Sequence, residues 1–208
     1  MGSEAVTGER EEREHLQMEA VLLRAADVLD KVGIDYAVMG GLASAAVGRL
    51  RHTHDVDLFV SHRGAVSGLA ALDQAGFRTE RTDEEWLYKA FWGDVMVDLI
   101  FESTGGITFD EEMRRRRRPI DVRDRELPAI PPEDLVVIKA LAHKEHTPRH
   151  WFDALAVIEA GDLDYEYLAR RARVNPGRVA SLLLYARASG CDVPEEQLRE
   201  LLAAAGLL

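Results

Sequence analysis

Apolar residues follow a mixed pattern up to about residue 128 and a helical one beyond it. Between Leu16 and Val32 they recur at Leu22, Ala26, Leu29 and Val32, the spacing of one helix face, and Gly33 closes the segment. Tyr36-Ala37-Val38-Met39 reads as a short buried strand, broken by Gly40-Gly41 before an Ala-rich helix from Leu42 to Val47. The pattern predicts a strand over Asp55 to Val60 and a helix over 63–75 with a turn at Gly76-Phe77. It also predicts strands over Trp86 to Trp92 and Val95 to Phe101 joined at Gly93-Asp94, and a strand over Ile120 to Arg125. Helices are predicted over 132–146, 149–160, 164–173, 176–189 and 194–205, punctuated by Gly161, Asn175-Pro176 and Gly190. The fold class expected is α+β, a mixed sheet flanked by helices and followed by a C-terminal helical bundle. The expected organisation is a disordered lead-in over 1–14, a core over 15–127 and a helical region over 128–208.

Composition narrows the classes. At 208 residues, 47% hydrophobic and 30% charged, the chain is long and apolar enough for a buried core rather than disorder. Lys plus Arg number 26 and Asp plus Glu 37, a net charge of −11 that disfavours a dedicated nucleic-acid or anionic-membrane binder. The single Cys191 excludes an internal disulfide framework and a Cys-rich zinc site. No apolar run approaches the roughly 20 residues needed to span a bilayer, and Met1-Gly2-Ser3-Glu4 lacks signal-peptide character. A cytoplasmic location is therefore expected.

The chemistry concentrates in two stretches. Gly40-Gly41 between a strand and a helix lets backbone amides approach an anion, with Ser44 adding a hydroxyl. Downstream, Asp55 and Asp57 sit at i and i+2 of a strand and so share a face, while Val56 and Leu58 face the core. Two carboxylates side by side repel unless a cation lies between them, and hard oxygen ligands select Mg²⁺. A third acid, Asp98, interrupts the apolar strand Val95 to Phe101, where a lone carboxylate is costly to bury unless paired or ligating metal. If that strand neighbours the Asp55 strand, three acids converge beside the Gly-Gly turn and can hold one or two divalent ions bridging a triphosphate.

Gly40-Gly41, thirteen intervening residues, Asp55-Val56-Asp57 and a later-strand Asp98 together resemble the polymerase-β-like nucleotidyltransferase superfamily. The minimal bacterial members are the most similar, including aminoglycoside and lincosamide nucleotidyltransferases and AbiEii-type toxins. The resemblance implies transfer of NMP from an NTP, ATP foremost, to an acceptor hydroxyl with release of pyrophosphate. It places catalysis and Mg²⁺ binding (one or two ions) on Asp55, Asp57 and Asp98. Nucleotide binding falls to Gly40, Gly41, Ser44, Thr53 and Lys139, the last because Asp134 to Ala140 is similar to a family helix whose Lys reaches the phosphates. Toxin members carry Lys-Asp-x-x-Asp in the next segment; here Arg149-His150-Trp151-Phe152-Asp153 replaces its first Asp by His150. Asp153 then has two readings, a toxin-type role or a structural partner of Lys139 or Arg149.

Other signals weigh less. His143, His146 and His150 could share a helical face as metal ligands, but Pro148 interrupts that helix and a solvated face is the simpler account. His52 and His54 flank Thr53 just before the acid pair. Arg114 to Arg118 could contact an acidic acceptor such as tRNA, or NTP phosphates, or simply offset Asp110, Glu111 and Glu112 at an exposed helix end. Trp86, Tyr88, Phe91 and Trp92 read as core and rim of a hairpin rather than a base-stacking platform. The acceptor stays open between a small molecule such as an aminoglycoside and an RNA or protein. Oligomeric state stays open too, and no membrane partner is expected. The alternative to an enzyme is a non-catalytic interaction or antitoxin-like module with the same fold.

Overall fold

The computed structural model describes residues 2–47, 53, 55–81 and 85–208, with side chains from residue 12 onward; His52 and His54 lie outside the described residues. The first helix, α1 (Gly2–Lys31), buries Met18, Leu22, Ala25, Ala26 and Leu29 along one face at spacings of three and four. It begins at Gly2, so the segment read as a lead-in is helical; its Glu and Arg residues are good helix formers and extend the helix at little cost.

The elements that follow are β1 (Tyr36–Val38), α2 (Gly40–Val47), β2 (Asp55–Val60) and α3 (His62–Gln74). Next come β3 (Arg78–Glu80), β4 (Leu87–Trp92), β5 (Val95–Ile100), α4 (Glu111–Arg115), β6 (Arg118–Val122) and β7 (Arg125–Ala129). The strands form one sheet in the order β3-β4-β5-β2-β1-β7-β6. It is mixed: β2 pairs parallel with β5 and β1 with β7, while the remaining neighbours are antiparallel. Its central strands are buried on the helix-covered side by Val56, Leu58, Val97 and Leu99, all inaccessible to solvent.

The single strand expected over Ile120 to Arg125 is in fact a hairpin. Val122 pairs with Arg125 around the two-residue turn Arg123-Asp124, both at positive φ (49° and 62°). That turn normally shows Asn or Gly, so the sequence carried no hairpin signature there.

Five helices complete the chain: α5 (Pro132–Ala142), α6 (Arg149–Glu159), α7 (Tyr165–Arg171), α8 (Pro176–Ala188) and α9 (Glu195–Ala204). α5 is buried from Pro132 to Ala140 and packs against α2, α6, α7 and α8. Near its start the buried carboxylate of Asp134 accepts from Tyr167 Oη at 2.5 Å and from Arg171 Nε at 2.6 Å. Arg171 also pairs with Asp110, whose side chain caps α4 by accepting from the Met113 amide at 2.9 Å. Burial pushes the Asp134 carboxyl up to about 6, against the pull of Arg171. Removing one partner from such a buried set costs about 3–5 kcal/mol, so α7 pins α5 along its axis. α5 stops at Ala142 because His143 turns extended (ψ 131°), which takes His143 and His146 off any shared helix with His150. Among the described residues, no helix is long and apolar enough to cross a membrane.

Candidate active site

The site is built where β1 ends. Gly40 takes φ +67°, a left-handed conformation that glycine adopts freely, and starts α2 directly. A Cβ at Gly40 would overlap Oδ2 of Asp57, so only glycine leaves room for that carboxylate. The Gly41 amide donates to Asp57 from the first turn of α2, where unpaired amides and the helix dipole favour negative charge.

Across the sheet the acids fall into a row. Asp57 on β2 lies directly beside Asp98 on β5, and Asp55 shares the same face two residues before. On the other side of β5, Lys89 of β4 is the register partner of Asp98, and its Nζ lies 3.2 Å from Asp98 Oδ1. Three carboxylates and one ammonium thus line up over three adjacent strands. Burial pushes the Asp57 carboxyl from 3.8 up to about 7, and the charges of Asp55 and Asp98 add to the shift. Lys139 and the Gly41 amide oppose it. Asp55 is held by Thr53, whose hydroxyl donates to its Oδ1 at 2.5 Å.

These residues open into a cleft of about 580 Å³ between the sheet and α5. Seven of the eight site residues expected from sequence line it: Gly40, Gly41, Thr53, Asp55, Asp57, Asp98 and Lys139. Ser44 does not. It is fully buried and donates to the Gly40 carbonyl at 2.8 Å, so the hydroxyl expected on a phosphate is turned into its own helix. Lys139 reaches the cleft from a buried stem and pairs with Asp153 at 2.9 Å, both nearly inaccessible, so Asp153 is its structural partner. Arg149 and His150 close the cleft from α6, and Trp86, Ser103 and Thr104 from the opposite wall.

Lys89 was missed by the sequence reading. Its one signal was a lone cation inside the apolar strand Leu87–Trp92, informative only once the pairing with β5 is known. The arginine run points elsewhere. Arg114 and Arg117 pair with Asp35, Arg116 with Glu112 and Asp164, and Arg118 with Asp162. Arg117 also donates to the Tyr36 carbonyl at 2.9 Å. Four of the five thus tie the chain to itself, and none lines the cleft.

A family model described as "Uncharacterised nucleotidyltransferase" matches residues 8–189, most of the chain. The chain belongs to this family. A solved structure shares the fold. An antigenic nucleotidyltransferase-like protein from Paracoccidioides brasiliensis is 18% identical with a TM-score of 0.52, covering 90% of this chain and 92% of that one. Two weaker likenesses are at 15% identity. ANT(2″)-Ia in complex with adenylyl-2″-tobramycin has a TM-score of 0.49 over 83% of this chain and 98% of that one. The lincomycin-bound lincosamide antibiotic adenylyltransferase LnuA has a TM-score of 0.48 over 65% and 93%. No curated protein matches the sequence significantly. Membership of this family makes the chain a nucleotidyltransferase, and its sheet and helices form the α+β architecture expected from the sequence.

Proposed function

We propose that this nucleotidyltransferase moves a nucleoside monophosphate from an NTP, with ATP the expected donor, to an acceptor hydroxyl and releases pyrophosphate. The observation that carries the reading is the row Asp55, Asp57 and Asp98 on one face of β2 and β5, beside the glycine start of α2.

The donor set suits Mg²⁺: all three side chains offer hard oxygens, and Asp57 is crowded by two like charges that a cation would relieve. Among the described residues no group of three His, Cys, Asp or Glu side chains is placed to hold a metal ion as the side chains stand. Asp55, Asp57 and Asp98 would hold the ion as an open site, the kind Mg²⁺ completes with water and phosphate oxygens. When bound, the ion supplies charge neutralisation on the triphosphate and activation of the attacking oxygen.

The chain's own residues do the rest. The amides at the start of α2 and the ammonium of Lys139 face the cleft where an anionic triphosphate would lie. Thr53 fixes Asp55, and Lys89 holds Oδ1 of Asp98 at the edge of the cleft. In the transfer step the acceptor oxygen bonds to the α-phosphorus and the bond to the pyrophosphate oxygen breaks. The acceptor proton passes to the Asp98 carboxylate.

The test is incubation with each of the four NTPs labelled at the α-phosphate, together with an aminoglycoside panel or total tRNA. Label on an acceptor with wild-type protein, and none with Asp57→Asn, supports the reading. Full transfer by folded Asp57→Asn protein contradicts it.

A further inference from the structure

The charged row does not end at Asp98. Register pairing carries it outward across the sheet: Asp57 on β2 beside Asp98 on β5, Asp98 beside Lys89 on β4, and Lys89 beside Glu80 on β3. Residues opposite each other in register share a face, so these four side chains stand in one line. Lys89 therefore has an acid on each side. Its ammonium sits at the inner one, 3.2 Å from Oδ1 of Asp98 and 3.5 Å from Sδ of Met96, the register partner of Asp55. The outer acid, Glu80, is paired with Arg78 instead. Only 21% of the Lys89 side chain and 9% of the Asp98 side chain are exposed, whereas Arg78 and Glu80 lie far more open to solvent. The inner pair is thus the one that water and salt screen least.

We propose that Lys89 stands in for a second metal ion, so that the acid row takes one Mg²⁺ rather than two. Lys89 touches Asp98 and acts through it, which makes it a positioning residue. This role rests on the nucleotidyl-transfer reading above and deepens it by fixing the number of ions. Two-ion sites hold their cations about 3.5–4 Å apart and need carboxylate oxygens for each. Among the described residues the cleft is lined by three carboxylates, Asp55, Asp57 and Asp98. Each already has a protein donor: Thr53 on Asp55, the Gly41 amide on Asp57 and Lys89 on Asp98. An ammonium at 3.2 Å from Asp98 places a positive charge on the carboxylate that a second ion would need, and repels that ion. Charge balance agrees. With all three acids ionised, three carboxylates and the one ammonium of Lys89 carry a formal charge of two minus, which a single divalent ion matches. Lys139 leaves this balance unchanged, because Asp153 offsets it at 2.9 Å.

The test counts bound Mn²⁺, a paramagnetic substitute for Mg²⁺, by electron paramagnetic resonance on the full chain with a non-hydrolysable ATP analogue. Wild-type protein binds one Mn²⁺ per chain and gives the spectrum of an isolated ion. Lys89→Gln keeps a hydrogen-bond donor for Asp98 but removes the charge; it binds two ions and gives the spin-coupled spectrum of neighbouring Mn²⁺. Lys89→Arg keeps the charge and stays at one. Without nucleotide, Lys89→Gln binds its first Mn²⁺ several-fold more tightly than wild type, because a repelling charge has gone. A lysine that only braced the strand would give the opposite sign. Binding of the analogue verifies the folding of both variants, and the wild-type count is decisive even without them. The role is overturned if wild-type protein binds two coupled ions, if Lys89→Gln stays at one, or if Lys89→Gln binds Mn²⁺ more weakly. A wild-type chain that binds neither Mn²⁺ nor the analogue contradicts the nucleotidyl-transfer reading itself, and the role of Lys89 with it.

Discussion

Gly40 and Asp57 occupy space that only a glycine leaves open: the Asp57 carboxylate sits where a Cβ at position 40 would be. The glycine start of α2 and the Asp-x-Asp strand are therefore one device, although thirteen residues separate them in the chain.

Gly33 offers the control for that device, having the same φ of +67° with nothing within 4 Å of the place a Cβ would take. Gly33→Ala pays only the left-handed conformation, about 1–2 kcal/mol in urea denaturation. Gly40→Ala costs more than Gly33→Ala and removes the thermal stabilisation by Mg²⁺ and NTP, which Gly33→Ala keeps.

Proton binding at Asp57 opposes cation binding. Its folded pKa of about 7 lies above the ordinary 3.8, so the protonated form stabilises the fold. That contribution is full below pH 3.8 and is lost as pH rises through about 7. Metal-free wild-type protein should lose stability across this window relative to Asp57→Asn, and its apparent Mg²⁺ affinity should rise with pH up to about 7. Melting curves over pH, with and without Mg²⁺, check both signs.

Lys139 and Asp153 form a buried pair whose halves cannot be removed singly. Asp153→Ala takes from the buried Lys139 ammonium the carboxylate 2.9 Å away and costs about 3–5 kcal/mol. The double variant Lys139→Met with Asp153→Leu recovers most of that loss, yet it lowers NTP affinity because the cleft-facing cation is gone. Denaturant melts and nucleotide titration separate the two effects.

The arginine run should be inert toward nucleic acid. Arg117→Ala breaks its bonds to Asp35 and Tyr36 and lowers the melting temperature more than Arg115→Ala does. Neither substitution should change the retention of bulk tRNA in a filter-binding assay at physiological salt, whereas a tRNA site there would lose affinity with each charge removed.

The acid row was readable because its rules are local: strand alternation puts Asp55 and Asp57 on one face, and a lone Asp98 in an apolar strand demands a partner. The parallel pairing of β2 with β5, which brings Asp98 beside Asp57, is a long-range fact that no local pattern encodes. Lys89 stayed hidden for the same reason. Ser44 misled because its place after the glycines suits a phosphate contact, while the helix rotates it inward to bond the Gly40 carbonyl. The turn Arg123-Asp124 split an expected strand in two because tertiary pairing overrode a sequence with no turn signature. The helical half was read closely, since its 3.6-residue period and its Gly and Pro punctuation are local; only the end of α5, at Ala142, fell short of the expected helix.

The central claim is that the cleft around Asp57 binds a nucleoside triphosphate with Mg²⁺. Thermal denaturation with each of the four NTPs, with and without Mg²⁺, tests it most directly, because a ligand at a hundredfold excess over its Kd stabilises by about 2.7 kcal/mol. At least one NTP should raise the melting temperature of wild-type protein only when Mg²⁺ is present, and Asp57→Asn should abolish the rise. An unchanged melting temperature with all four nucleotides, or an equal rise in Asp57→Asn protein, would contradict the account.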